Sequence, residues 1–162
     1  MKILGIDPGY ERLGVAIVEK NEGEKENLIF SECFKTSSKD PHHQRLSEVA
    51  AEIEKVIKEH QPEALAIETL FFSKNTSTAL KVAEARGVII ERCSTNNLEI
   101  FEFSPQEIKI AVTGSGSGDK TQIMKMVPLL IDTQDTKKQD DEFDAIAAGL
   151  TFFATYPSFL RK

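Results

Sequence analysis

The sequence has few cysteines and no long hydrophobic run, and both absences narrow the class of protein. Its 162 residues include two cysteines, Cys33 and Cys93, which lie in unrelated segments. This spacing is not that of a zinc site, and two cysteines are too few for a disulfide framework, so we interpret both as reduced packing residues. No apolar stretch approaches the roughly 20 residues that a membrane-spanning helix needs, so no membrane partner is expected.

The first residues also lack the apolar core of a signal peptide, because Asp7, Pro8 and Gly9 follow one short apolar run. We therefore expect a cytoplasmic protein. The sequence contains no repeat, linker or low-complexity segment, and its length suits one ordinary domain. We predict a single domain over residues 1–162, with a disordered tail from about residue 156.

Charge of one sign is in excess. The chain carries 20 Lys and Arg against 26 Asp and Glu, a formal net charge of -6. This acidity argues against nucleic-acid binding, because phosphate backbones usually bind to a basic surface. The acids are unevenly spread, with ten acids and seven bases in residues 19–59 but seven of each in residues 68–127. Bound divalent cations would also add positive charge where a phosphate approaches, so nucleic-acid binding is not excluded.

Hydrophobic periodicity predicts an α/β chain. Three apolar runs precede the first amphipathic helix and indicate an antiparallel meander, whereas the later strands follow helices and need crossovers. The predicted strands are Lys2–Ile6, Leu13–Val18, Leu28–Phe34, Ala64–Ile67 and Leu98–Phe103. The patterns that predict helices span residues 46–57, 76–92, 105–112, 123–130 and 143–150.

Three of these helices carry further signals. The helix at 76–92 has apolar residues on more than one face, which suits either a subunit interface or a helix buried in its own core. The segment Ser104-Pro105-Gln106-Glu107 matches a capping box with proline at the first helical position. Asp119 is expected to cap the next helix, which Pro128 should kink or shorten.

Two carboxylates end predicted strands. Asp7 closes the first strand, although Asp-Pro-Gly is equally a turn signal. Glu68 closes the apolar run at 64–67, where glutamate is disfavoured, and the alternative to a functional role is a salt bridge. Open α/β sheets place their sites at the carboxyl ends of strands, which favours a functional role for Glu68.

A third group of acids, Asp140-Asp141-Glu142-Phe143-Asp144, opens the last predicted helix. Asp141 and Asp144 share one helix face, but acids in a first turn also favour the helix dipole. If the three acidic segments converge, cations must relieve their repulsion, and oxygen ligands favour Mg²⁺ or Mn²⁺. Two such ions roughly 4 Å apart would suit phosphodiester hydrolysis.

Several motifs in order resemble the RuvC family of Holliday-junction resolvases. They are Ile3–Gly9, Ala66–Glu68, Lys74–Asn75 with Ala79–Lys81 and Ala83–Gly87, and Asp141–Ala147. The resemblance implies an RNase H-like nuclease domain, with a five-stranded mixed sheet flanked by helices on both faces. It also implies two Mg²⁺ ions per subunit, for which Mn²⁺ substitutes. The catalytic acids and metal ligands would be Asp7, Glu68, Asp141 and Asp144, with Asp140 as the competitor of Asp141.

The resemblance also implies residues that contact nucleic acid. Phe71 would stack on a base, with the alternative that it belongs to the core. Lys74 and Asn75 belong to a matched motif, and Lys109 and Lys120 flank the Gly-Ser segment 114–118. Lysines there could stabilise charge on the phosphate, and the alternative is a plain surface loop.

The implied function is resolution of four-way DNA junctions by paired symmetric nicks that leave 5′-phosphate and 3′-hydroxyl ends. The implied partners are junction DNA, a second copy of the chain, and the branch-migration proteins RuvA and RuvB. Two alternatives stay open: a nuclease of the same fold acting on precursor ribosomal RNA, and a non-catalytic junction-binding protein. Sugar kinases and actin-like ATPases share the opening motif, but they need two such domains, which 162 residues cannot supply.

Overall fold

A computed structural model of the chain describes residues 1–70, 76–116, 120–133 and 138–157. The strands are β1 (Lys2–Asp7), β2 (Arg12–Glu19), β3 (Asn27–Lys35), β4 (Ala64–Glu68) and β5 (Glu99–Phe103). The helices are α1 (His42–His60), α2 (Thr76–Thr95), α3 (Pro105–Thr113), α4 (Lys120–Leu130) and α5 (Asp140–Thr155). Each predicted strand and helix is present, which confirms the α/β prediction.

The strands form one mixed sheet in the order β3-β2-β1-β4-β5. β1, β2 and β3 pair antiparallel, as expected for a meander with short connections. β4 pairs parallel with β1, and β5 pairs parallel with β4, because α1 and α2 provide the crossovers. The carboxyl ends of β1, β4 and β5 therefore lie at the same edge of the sheet.

Each face of the sheet is covered by its own set of helices. Strand residues of alternating position point to opposite faces, so Leu4 and Ile6 pack under α1 and α2 while Ile3 packs under α5. The core under α1 and α2 also includes Val15, Ile17, Val49, Ile53, Leu65, Ile67 and Ile89. The core under α3, α4 and α5 includes Ala16, Val18, Ala66, Phe103, Ile108, Val127, Ile146 and Phe152.

Helix α5 touches the backbone of β1 and β2. A methyl group added at Gly5 would overlap the carbonyl oxygen of Ala145, and one added at Gly14 would overlap the carbonyl oxygen of Asp141. Glycine at these two positions is therefore what lets the helix lie directly on the strands. The first turn of α5 is thereby fixed beside the end of β1.

The helix ends agree with the sequence signals. Ser104 and Glu107 form the predicted capping box of α3, and their hydrogen bonds lower the pKa of Glu107. Pro128 lies inside α4, which ends two residues later at Leu130. Asp119, predicted to cap α4, lies outside the described residues.

The end of the described chain is packed rather than loose. The ring of Tyr156 lies 4.9 Å from that of Phe101. The rest of the predicted tail, residues 158–162, lies outside the described ranges. Among the described helices, none combines the length and the apolarity that crossing a membrane requires.

Candidate active site

Asp7 and Glu68 are brought together by the register of two neighbouring parallel strands. Ile6 is paired with Ile67, so the next residues along each strand are Asp7 and Glu68. Adjacent strands lie about 4.8 Å apart, which places the two residues side by side. Both follow, at spacing two, residues that face α5, namely Gly5 and Ala66. The two carboxylates therefore lie on the α5 side of the sheet edge.

Asp144 completes a pocket with these two residues. A cavity of about 320 Å³ lies at this edge. We call it the carboxylate pocket, and its lining residues are Asp7, Glu68, Pro105, Ile108, Lys109, Ile123 and Asp144. Three segments that are far apart in the sequence thus converge on one space. An apolar wall from Ile108 and Ile123 adjoins the charged groups.

Lys109 is the cation among the lining residues of the carboxylate pocket. Helix α3 presents it there because the capping box at Ser104 and Glu107 fixes the start of the helix directly after β5. Ile108, the preceding residue, is buried in the core under α5. The lysine and the carboxylates therefore share a space that could admit a phosphate.

Asp141 is placed differently from Asp144. It is not among the lining residues of the carboxylate pocket. Its carboxylate forms an ion pair with Arg12 and accepts a hydrogen bond of 3.5 Å from the Cys33 thiol. Asp140, its competitor in the sequence, pairs with the same arginine at 2.7 Å and is more exposed, 40% against 14% for the side chain of Asp141.

The first turn of α5 is anchored to β3 as well. The Ser31 hydroxyl donates a hydrogen bond of 2.8 Å to the Glu142 carboxylate, and Lys138 lies 3.6 Å from the same carboxylate. Glu142 in turn accepts a hydrogen bond from the backbone amide of Gln139. These contacts hold the helix start in place, so the acids around it have defined positions.

Three residues near the acids were not predicted as part of the site. Arg12 and Cys33 contact Asp141, and the interpretation of Cys33 as an ordinary packing residue was incomplete. Burial raises the pKa of the Cys33 thiol, so this group stays neutral. Arg86 donates a hydrogen bond of 3.0 Å to the carbonyl oxygen of Glu68. It also pairs with Glu102 on β5, and so fixes the end of β4.

The signals for these residues in the sequence were weak. Arg86 lies in the motif Ala83–Gly87, but the motif does not indicate which group its side chain contacts. Arg12 and Cys33 approach α5 only because β2 and β3 pair in a particular register, with Gly14 opposite Cys33. A register is not readable from one strand, so neither contact was accessible from periodicity.

Comparison with known proteins identifies the family. The family model described as "Crossover junction endodeoxyribonuclease RuvC" matches residues 3–152. The chain belongs to the RuvC family. Among its relatives, RuvC of Caldicellulosiruptor saccharolyticus is 42% identical over 162 residues, covering 100% of this chain and 98% of that protein. RuvC of Brachyspira hyodysenteriae is 46% identical over 151 residues, covering 93% of this chain and 92% of that protein.

A solved structure of the RuvC family supports the same assignment. The structure "T. thermophilus RuvC in complex with Holliday junction substrate" superposes with a TM-score of 0.90 at 28% identity, over 99% of this chain and 97% of that one. The protein therefore has the RuvC fold, an RNase H-like arrangement, as the motifs in the sequence predicted.

The residues of the carboxylate pocket have the chemistry to bind the divalent metal that a RuvC-type nuclease implies. The pocket offers carboxylate oxygens from Asp7, Glu68 and Asp144, the ligands that Mg²⁺ and Mn²⁺ prefer. Within the part of the chain that the structure describes, however, no group of three His, Cys, Asp or Glu side chains is arranged so that it could hold a metal ion. Binding a metal would therefore require these side chains to rearrange.

Four predicted nucleic-acid contacts lie beyond what the structure describes. Phe71, Lys74 and Asn75 fall in the gap between residues 70 and 76. Lys120 begins α4, but its side chain is outside the described part of the structure. Lys109 is the predicted contact whose position is defined.

Proposed function

We propose that this protein cleaves four-way DNA junctions by paired symmetric nicks, through metal-dependent phosphodiester hydrolysis. Family membership supports this function over the ribosomal-RNA and non-catalytic alternatives. So does the likeness to the structure of T. thermophilus RuvC in complex with Holliday junction substrate. Within the chain itself, the convergence of Asp7, Glu68 and Asp144 on one pocket with Lys109 carries the proposal.

In this proposal Asp7, Glu68, Asp141 and Asp144 would hold two Mg²⁺ ions per subunit, with Mn²⁺ as a substitute. Bound ions of this kind activate a water and stabilise the oxygen that leaves phosphorus. Asp7 and Glu68 are held by strands, and Asp144 is held by a helix in backbone contact with β1. The backbone positions of these three ligands are therefore well defined.

Lys109 is proposed to contact the phosphate at the cut. Lys109 lines the same cavity as the three carboxylates, so its ammonium group could stabilise negative charge that develops on the phosphoryl oxygens. The apolar side chains of Ile108 and Ile123 adjoin it, and a drier environment strengthens such an interaction. Phe71, Lys74, Asn75 and Lys120 are proposed as further DNA contacts.

Symmetric cleavage needs two active sites, so we propose a homodimer. Helix α2 offers an exposed apolar side chain, Leu80, which is 62% exposed, and the groove between α1 and α2 is lined in part by Leu46, Ala50 and Val88. A cytoplasmic location and cooperation with RuvA and RuvB are proposed on family grounds alone.

The test is a nicking assay on a synthetic four-way junction. Wild type should nick two strands symmetrically with Mg²⁺ and not with chelator. Asp144→Asn and Glu68→Gln should each lower the rate by roughly a thousandfold, since each removes several kcal/mol of charge stabilisation at the reacting phosphate. Glu99→Gln, at the opposite end of β5, is the matched control and should leave the rate unchanged.

Binding and substrate choice separate the alternatives. Asp7→Asn should abolish cleavage and retain junction binding in a gel-shift assay, because metal ligation and backbone contact are separable. Preferential cleavage of a structured ribosomal-RNA precursor over the junction would favour the other nuclease. Junction binding by a wild type that never cuts, at any Mg²⁺ or Mn²⁺ concentration, would contradict the catalytic proposal.

A further inference from the structure

Arg12 lies at the start of β2, on the side of the sheet that carries α5. Gly14, two residues further along the strand, is opposite Asp7 in the pairing with β1. Gly14 faces the carbonyl oxygen of Asp141, and residues two apart in a strand share a face. The side chain of Arg12 therefore leaves the sheet beside the first turn of α5.

Its guanidinium group contacts three side chains of that turn. It donates a hydrogen bond of 2.7 Å to Asp140 Oδ1 and one of 3.3 Å to Gln139 Oε1, and it forms an ion pair with Asp141 Oδ2. The thiol of Cys33 donates to the same oxygen of Asp141 at 3.5 Å. The guanidinium of Arg12 and the thiol of Cys33 thus both bind the carboxylate of Asp141, which the proposed function requires as a metal ligand.

We propose that Arg12 is a positioning residue that holds Asp141 outside the carboxylate pocket until divalent cations displace it. This inference rests on the proposed function, in which Asp141 is a ligand. It accounts for the observation that Asp141 does not line the carboxylate pocket although Asp144, one turn further along the same helix, does. Loading the site then includes an exchange of counterions at Asp141.

The exchange has a measurable consequence for metal affinity. When only a fraction of molecules has the competent arrangement, the apparent affinity falls by that fraction. Arg12 is 44% exposed, and exposed ion pairs are weak, so the expected reduction in affinity is roughly fivefold. A positive guanidinium beside an incoming cation also repels it, which acts in the same direction.

The experiment measures Mn²⁺ binding by electron paramagnetic resonance on the full-length protein, without DNA. Arg12→Gln should bind Mn²⁺ about fivefold more tightly than wild type, since its neutral side chain no longer competes for Asp141. Arg12→Lys keeps the charge but loses the planar fork, so an intermediate affinity is expected. The Mg²⁺-induced rise in melting temperature should likewise be larger in Arg12→Gln than in wild type.

Arg92→Gln is the matched control. Arg92 is 38% exposed and also spans two carboxylates, Glu54 at 2.9 Å and Glu91 at 3.0 Å, but it lies in α2 away from α5. Its loss should leave Mn²⁺ affinity unchanged, which separates a local effect from a general loss of positive charge.

The outcomes distinguish this inference from the function on which it rests. Equal or weaker Mn²⁺ binding in Arg12→Gln, with wild-type binding that Asp144→Asn abolishes, would overturn the role of Arg12 and leave the proposed site standing. Mn²⁺ binding that does not depend on Asp144 would contradict the proposed metal site, and this inference with it.

Discussion

The two faces of the sheet pack against their helices in different ways. Under α1 and α2 the strands present large aliphatic side chains such as Leu4, Ile6 and Ile67. The helices pack aliphatic side chains such as Ile53 against them. Under α5 the strands present Gly5 and Gly14, and the helix backbone lies directly on them. The acids of the candidate site belong to the second face.

This difference between the faces separates the stability of the fold from the precise placement of the site. A core of aliphatic side chains stabilises the fold in proportion to the apolar area that it buries, and it tolerates small shifts between elements. Backbone contact tolerates almost no shift, because no flexible side chain lies between the surfaces. The site is therefore expected on the face where the helix position is most narrowly defined.

The aliphatic face should be sensitive to the loss of side-chain volume. Ile53→Ala removes a fully buried side chain of α1 and should lower the free energy of unfolding by about 4 kcal/mol, as for other large-to-small core changes. Urea denaturation measures this, with Ile53→Val as the control at about 1 kcal/mol. Nicking per folded molecule should persist. A strong loss of nicking at full folding would mean that the two faces are not separable.

The glycine face should be more sensitive to the addition of a single methyl group. Gly5→Ala places a methyl group against the backbone of Ala145 and Gly149 and should cost about 3 kcal/mol by overpacking. It should also reduce nicking, because α5 carries Asp144. Gly87→Ala in α2 meets open space and should instead stabilise by about 0.5–1 kcal/mol. Similar effects of the two substitutions would remove the contrast between the faces.

The polar groups on β3 also differ between the faces. Ser31 faces α5, where Lys138 accompanies the carboxylate of Glu142. Glu32 faces α1, where it meets Glu52. Burial and the hydrogen bond with Glu52 raise the pKa of Glu32 to about 7. Each face thus supplies a cation, since Lys55 lies 2.9 Å from Glu52 on the α1 face. Only the α1 face brings a second acid against the first, and we expect Glu32 and Glu52 to share a proton.

A small pH dependence should follow from Glu32. Its folded-state pKa exceeds the ordinary value of 4.5, so its contribution to stability is complete below that value and is lost as pH rises through about 7. Between these pH values the wild type should lose about 1 kcal/mol of its free energy of unfolding, a figure reduced for solvent screening. Glu32→Gln should not show this loss, because glutamine does not titrate. Urea midpoints from pH 4.5 to 7.5 measure the slope, with Glu99→Gln as control. An unchanged slope in Glu32→Gln would refute the shared proton.

The order of elements and the position of most acids could be predicted from the sequence because both depend on local pattern. Alternation along the strands places Asp7 and Glu68 at strand ends, and helical spacing places Asp144 beside Asp141. The partner of Asp141 could not be predicted, since it depends on the register between β2 and β3 and on the choice of rotamer. The sequence suggested that three acidic segments converge, but not that Asp141 is paired with Arg12.

During folding, the two halves of the sheet are expected to form at different times. β1, β2 and β3 are joined by short connections, whereas β4 and β5 need crossovers through α1 and α2, and contacts between distant segments form slowly. Arg12 and Cys33 belong to the early half, and Asp141 arrives with the last helix. When the acidic start of α5 docks beside Asp7, its carboxylates repel that of Asp7. Arg12, the counterion of Asp141, would already be in position at that step.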